Sequence, residues 1–144
     1  MTTGPLRREG QGTTTIRSFL PRAIQLALLW VPPIAWMGLI FYLSSLSAPP
    51  GQGLFPGQDK AEHFFLYLIL GILLLRALRS NPAAWSATLG FAYAITDEIH
   101  QAFVSARSAD VLDILVDFAG VAAGIALIMR FRRRARRPGA SSSE

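Results

Sequence analysis

A long uncharged stretch near the start of the chain is the feature that most restricts its fold. Residues 23–58 contain no Asp, Glu, Lys or Arg. Within them, residues 23–46 are numerous enough to cross a hydrocarbon core of about 30 Å as a helix. Pro32 and Pro33 lie inside this segment, and we expect them to kink the helix or break it locally. A cleavable signal peptide is the alternative, but its apolar region has only about 7–15 residues, so a retained span is favoured.

The composition agrees with a membrane protein. Of the 144 residues, 51% are hydrophobic and 16% are charged, and the mean hydropathy is +0.37, whereas soluble domains carry about 25% charged residues. The length corresponds to one domain. The chain contains no cysteine, which excludes a disulfide framework, a thiolate nucleophile and a cysteine-based metal site.

Three further apolar segments follow, at residues 60–79, 83–104 and 111–129. The first of these has a short uncharged centre, so it spans only if its polar N-terminal residues cap one end and Arg76 and Arg79 snorkel at the other. The short links between segments favour antiparallel neighbours. The predicted fold class is therefore all-α, an integral membrane four-helix bundle.

The basic residues predict the orientation of this bundle. All of them except Lys60 and Arg107 precede the first span, lie at the end of the second or follow the fourth, which places both termini in the cytoplasm by the positive-inside rule. The predicted division is a basic cytoplasmic N-terminal tail (1–22), a four-span transmembrane domain (23–130) and a basic cytoplasmic C-terminal tail (131–144). Because such a tail contacts anionic lipid, the isoelectric point of 10.7 does not indicate nucleic-acid binding.

The acidic residues lie in the opposite, outer half. Of the nine, Glu9 and Glu144 are in the tails. The other seven are Asp59, Glu62, Asp97, Glu98, Asp110, Asp113 and Asp117. A carboxylate at membrane depth costs several kcal/mol unless it is paired, hydrated or protonated, so such residues are functional candidates. Both histidines, His63 and His100, share this half with Gln101, Lys60 and Arg107.

Helical spacing arranges these groups into stripes. Asp97 lies about two turns from the outer end of the third span and Asp117 about two turns from that of the fourth, so the two carboxylates are expected at one depth. Glu98 is rotated by about 100° from Asp97 and should serve a different neighbour. The stripes are Tyr93, Asp97, His100 and Gln101; Asp59, His63 and Tyr67; and Asp110, Asp113 and Asp117.

Structural roles could also explain these residues. Asp59 and Glu62 can interact with a helix N-terminus, and Asp110 can be an N-cap with Asp113 at N3. Asp97 or Asp117 could form a structural ion pair with Arg107 or Lys60. His63 and His100 could be polar anchors at the membrane interface. Gly120 and Gly124 could allow close helix packing.

Three motifs resemble those of the VanZ-like membrane proteins, over about residues 35–128. They are Asp59-Lys60-x-x-His63-Phe64-x-x-Tyr67; Asp97-Glu98-x-x-Gln101-x-Phe103; and Arg107 followed by Asp113-x-x-x-Asp117-x-x-Gly120-x-x-x-Gly124. The resemblance implies a small multi-pass protein of the bacterial inner membrane. The namesake of the family is associated with reduced susceptibility to teicoplanin, a lipidated glycopeptide that acts on the cell-wall precursor. The chain departs from the family pattern before Arg107, where Pro-Gly is usual, and at Asp117, where Asn is also common.

Three functions remain open at this point. The first is a non-catalytic envelope factor that binds membrane lipid or a lipid-linked cell-wall precursor through its head group. Its ligand-binding residues would be Lys60, His63, Asp97, Glu98, Gln101, Arg107, Asp113 and Asp117. The second is a membrane-embedded enzyme acting on a lipid head group, with catalytic candidates Asp97, Glu98, His63 and His100. The third is a proton- or cation-coupled transporter. The sequence leaves the metal, the cofactor and the oligomeric state open.

Overall fold

The computed structural model describes residues 21–47, 55–105, 107 and 110–135, and the regular secondary structure within them is all helical. The helices are α1 (Arg22–Ser44), α2 (Gln58–Ala77), α3 (Pro82–Gln101) and α4 (Val111–Ala135). Each overlaps one predicted span, and the described residues form no strand. The all-α class is confirmed.

Local sequence signals account for the helix starts. Gly57 precedes α2 with a φ of 79°, a left-handed conformation that glycine adopts without steric cost. Pro82 occupies the first turn of α3, where its missing N–H costs nothing.

Pro32 and Pro33 lie within α1, which continues through both, so the predicted local break does not occur.

Glycines set the closest helix contact, between α2 and α4. A Cβ atom added at Gly120 would collide with the carbonyl oxygen of Phe64, and one added at Gly124 would collide with that of Leu68. The backbones therefore approach more closely than any larger residue would permit. The packing role predicted for this Gly-x-x-x-Gly pair is confirmed.

The relative directions of the helices follow from residue pairs. Lys60 contacts Asp113 and His63 contacts Asp117, so α2 and α4 run parallel. The hydrogen bonds from Tyr93 to the Met37 carbonyl and from Ser44 to Asp97 show that α1 and α3 also run parallel.

These directions separate two ends of the molecule. The polar end comprises the C-terminal turns of α1 and α3, the N-terminal turns of α2 and α4, and the links between them; it carries all the acidic residues that the structure describes. The described arginines other than Arg107 lie at the opposite, basic end. They are Arg22, Arg76, Arg79, Arg130, Arg132, Arg133 and Arg134.

The outer surface is apolar. Val31, Phe65 and Leu115 are each more than half exposed, at 59%, 61% and 59%, as expected of side chains that face lipid rather than water. By length and composition, α1 and α4 are the two described helices able to cross a membrane. A small core of Ile40, Tyr67 and other apolar residues fills the interior.

Candidate functional site

A buried histidine–aspartate pair joins α2 to α4 at the polar end. The Nδ1 atom of His63 lies 2.9 Å from Oδ1 of Asp117, and Asp117 is fully buried. The predicted ion pair of Asp117 with Arg107 or Lys60 is wrong. Lys60 sits almost one turn nearer the end of α2, where other carboxylates bind it, and Arg107 reaches α1 instead.

Asp97 on α3 is held by a serine that sequence reasoning missed. Ser44 Oγ, at the end of α1, donates to Asp97 Oδ2 at 2.9 Å, and Gln101 Nε2 donates to the same oxygen at 3.1 Å. All three residues are buried. The only signal for Ser44 in the sequence is a hydroxyl at the end of an apolar span, which does not reveal its partner.

Three side chains converge where these pairs meet. One nitrogen or oxygen atom from each of His63, Asp97 and Asp117 lies within 4.8 Å of the other two, so the two aspartates share one depth as predicted. Asp97 Oδ1, Asp117 Oδ2 and the Tyr67 hydroxyl are buried and have no hydrogen-bond partner among the described residues. This group of His63, Asp97 and Asp117 is called the buried triad below.

A second set of contacts closes the polar end above the buried triad. Lys60 Nζ donates to Asp113 Oδ1 at 2.6 Å and to Asp110 Oδ2 at 3.0 Å. Glu98 accepts the backbone N–H of Asp110, which is a different neighbour from that of Asp97. Lys60, Glu98 and Asp113 therefore tie α2 and α3 to the start of α4.

Asp110 is the N-cap of α4. Its Oδ1 accepts the backbone N–H of Leu112 at 2.9 Å, the second residue of the helix. This hydrogen bond and the ammonium group of Lys60 lower the pKa of the Asp110 carboxyl below its ordinary value. The capping interpretation of Asp110 is confirmed.

A cavity of about 590 Å³ lies between α1 and α2 and reaches the buried triad. His63, Asp97 and Arg107 are the predicted ligand-binding residues that line it. Apolar residues form most of the remaining wall, which also carries the polar groups of Asp59 and Glu62. The apolar lining residues are Trp36, Ile40, Leu43, Phe55, Ala61, Phe65, Leu66 and Ile69.

Two predicted candidates have contacts that fix their place. Arg107 Nε donates to the Leu46 carbonyl at 3.2 Å and Nη2 to the Leu43 carbonyl at 3.4 Å, at the negative end of the α1 dipole. The ring of His100 stacks on Phe41 at 4.1 Å, with Nε2 2.9 Å from Ser45 Oγ. His100 thus packs against α1 and does not line the cavity.

A protein-family model covers most of the chain. The sequence model of the VanZ/LLP1 family matches residues 26–132, a range that contains α2 and α3 and nearly all of α1 and α4. No curated protein and no solved structure shows a significant match to the chain.

Proposed function

Because the chain belongs to the VanZ/LLP1 family, we propose that it is a multi-pass inner-membrane protein of bacteria that binds the head group of a lipid-linked cell-wall precursor. The cavity between α1 and α2 is the binding site. The observation that carries this proposal is the amphipathic lining of that cavity, which joins an apolar wall to the carboxyl group of Asp97 and the guanidinium of Arg107.

The proposed topology has four spans with both termini in the cytoplasm. All the described arginines except Arg107 are separated from the acidic residues, which supports this topology because positively charged ends remain on the cytoplasmic side. The polar end and its cavity then lie in the outer leaflet of the cytoplasmic membrane, the side on which lipid-linked precursors are used for cell-wall synthesis. Helices α2 and α3 lack the long apolar window that α1 and α4 contain, so in this topology they cross as parts of the packed group.

The cavity suits an amphiphile rather than a small polar solute. Along α2 its wall extends from Gln58 to Ile69, which is about 16 Å at 1.5 Å per residue. A lipid tail would lie along Trp36, Leu66 and Ile69, and its head would lie at the charged end.

Arg107 is the group proposed to bind a phosphate. Its guanidinium donates to two backbone carbonyls, which orient it at the cavity wall, and Arg forms paired hydrogen bonds with phosphate oxygens. Lys60, which was a predicted ligand-binding residue, is ion-paired with Asp110 and Asp113 and is not on the wall. We therefore assign Lys60, Glu98, Gln101 and Asp113 to holding the site together.

Binding is tested with purified protein in lipid nanodiscs, titrated with a polyprenyl phosphate and with the matching polyprenol. The phosphate should bind more tightly, and Arg107→Ala should weaken its binding by at least about tenfold, as loss of a charge-assisted contact does. Arg79→Ala, at the basic end, is the matched control and should bind like the wild type. Equal affinity for the two lipids, or an unchanged affinity in Arg107→Ala, would refute the head-group proposal.

The tail contact has its own test. Ile69→Trp should fill the apolar part of the cavity and weaken the binding of both lipids. Leu89→Trp adds the same bulk at a position on α3 that is 39% exposed and does not line the cavity, so it should bind normally. If both substitutions have the same effect, the tail lies elsewhere.

A lipid head-group enzyme is the second candidate function, and the His63–Asp117 pair favours it. A carboxylate that binds one ring nitrogen orients a histidine for proton transfer, and His63 lines the cavity. In this case His63 would be the general base or acid. Purified wild type should then turn over a polyprenyl-linked substrate, and Asp117→Asn should abolish turnover while retaining its helical content. Wild-type turnover equal to that in buffer alone would eliminate the enzyme.

A role in glycopeptide tolerance is proposed from family membership. Expression in a susceptible bacterium should reduce susceptibility to teicoplanin, and Arg107→Ala should abolish the effect if the cavity is responsible. Equal protection by the wild type and by Arg107→Ala at matched expression would separate the tolerance from the cavity.

A further inference from the structure

We propose that the buried triad of His63, Asp97 and Asp117 binds a divalent transition-metal ion. The ligand atoms of the three residues lie within 4.8 Å of one another. Ligands that share one ion at about 2.0–2.2 Å are separated by roughly 3 to 4.4 Å, so small side-chain rotations would bring the three atoms onto a single ion.

Two unpartnered oxygens point to the ligand. Asp97 Oδ1 and Asp117 Oδ2 are buried and have no hydrogen-bond partner among the described residues, and their residues are 2% and 0% exposed. The other oxygen of Asp97 already accepts hydrogen bonds from Ser44 and Gln101. The other oxygen of Asp117 is already bound by His63. A buried polar atom without a partner is costly, and coordination of an ion would satisfy both atoms together.

A divalent cation would also balance the charge of the buried triad. With a neutral His63, the buried triad carries two negative charges. Lys60 is ion-paired with Asp110 and Asp113. Arg107 donates to the carbonyls of Leu43 and Leu46. Neither of these two cations therefore forms an ion pair with the triad. One divalent ion neutralises it.

The mixed ligand set selects the class of ion. Imidazole nitrogen favours Zn²⁺, Fe²⁺ and Ni²⁺, whereas Mg²⁺ and Ca²⁺ prefer sites built from oxygen alone. Three protein ligands leave at least one coordination position for water or a ligand. Because His63 and Asp97 line the cavity, that position would face it. Any role of the ion in holding a head group rests on the proposed function, but the ion site itself does not.

The test uses the full chain in detergent, purified without a polyhistidine tag and titrated calorimetrically with Zn²⁺ in the absence of any lipid ligand. Wild type should bind one ion per chain, and Mg²⁺ should not displace it. Asp97→Asn, Asp117→Asn and His63→Gln should each weaken binding by at least about tenfold. Asp59→Asn is the matched control, since Asp59 lines the same cavity with a half-exposed side chain, and its Kd should equal that of the wild type.

A second measurement covers variants that fail to fold. Saturating Zn²⁺ should raise the unfolding temperature of the wild type, because an ion that binds only the folded state stabilises it by mass action. Absence of saturable Zn²⁺ binding and of any thermal shift in the wild type would overturn the site. The negative charge of the buried triad would then be neutralised by bound protons. Undiminished binding in all three triad variants would overturn it as well. Loss of lipid binding alone would refute the head-group proposal and leave the ion site standing.

Discussion

At the scale of single residues, each buried carboxylate of the polar end is held by a donor from another helix or from the link before α4. Ser44 of α1 binds Asp97, and His63 and Lys60 of α2 bind Asp117 and Asp113. In a low-dielectric interior such hydrogen bonds are strong, and their loss leaves a costly unpaired group. The polar contacts therefore contribute both to the site and to the stability of the fold.

Two buried serines provide a matched test of this view. Ser44→Ala should destabilise the protein by about 1–3 kcal/mol, because it removes a donor from a buried carboxylate. Ser86 is equally buried, but its hydroxyl has no partner among the described residues, so Ser86→Ala should be neutral or stabilising. Thermal unfolding in detergent, followed by circular dichroism, measures both. An equal loss of stability in the two variants would contradict the argument.

The cap of α4 predicts a pH dependence. The Asp110 carboxyl has a pKa below its ordinary value of 3.8, so its ionised form contributes stability above that pH, and the contribution is lost as the pH falls through the lowered pKa. Asp110→Asn should therefore be less stable than the wild type at neutral pH, and the difference should shrink in acid. The measurement is thermal unfolding from neutral pH down to about 2; a difference independent of pH would show that ionisation is irrelevant.

At the scale of elements, α2 organises the molecule because its contacts with the other three helices are the most extensive of any helix. Its closest partner is α4. The two backbones can approach closely because Gly120 and Gly124 carry no side chain at the contact. This contact also sets the register in which His63 meets Asp117. Separating the two helices would therefore disturb the site.

Glycine substitutions test the register. Gly124→Ala should destabilise the protein by about 1–3 kcal/mol, because its Cβ would overlap the backbone of α2. A Cβ atom added at Gly38 on α1 would meet open space, so Gly38→Ala should be neutral or stabilising, by up to about 1 kcal/mol. Thermal unfolding compares the pair. A Gly124→Ala protein as stable as Gly38→Ala would show that close approach is not required.

At the scale of the whole molecule, the charges are segregated along the helix axes while the outer surface is apolar. Four membrane spans with both termini in the cytoplasm would account for this combination by the positive-inside rule. The polar end would then face the outside of the cytoplasmic membrane.

Single cysteines test this topology directly, since the chain has none of its own. Ser47 and Ser80 are both exposed, the first at the polar end and the second at the basic end. A membrane-impermeant thiol reagent added to intact cells should label Ser47→Cys and should label Ser80→Cys only after the membrane is permeabilised. The reverse pattern would show that the orientation is inverted. Labelling of both cysteines in intact cells would show that no intact bilayer separates the two ends.

The sequence by itself determined the helices, the segregation of charge and the depth of Asp97 and Asp117. These follow from local hydropathy and from the fixed rise of a helix, so each can be read from neighbouring residues. The role of Asp110 as a cap and the close packing at Gly120 and Gly124 were also predicted, because both have short local signatures.

The tertiary structure alone decided which groups meet. Ser44 binds Asp97 across 53 positions, and His63 rather than Arg107 binds Asp117. It also separated His63 and Asp97 on the cavity wall from Lys60 and Glu98 beside it. Periodicity assigns a residue to a face of its own helix, but the rotation of that helix against its neighbours depends on packing across the whole molecule. For this reason the polar half could be predicted, whereas the partners within it could not.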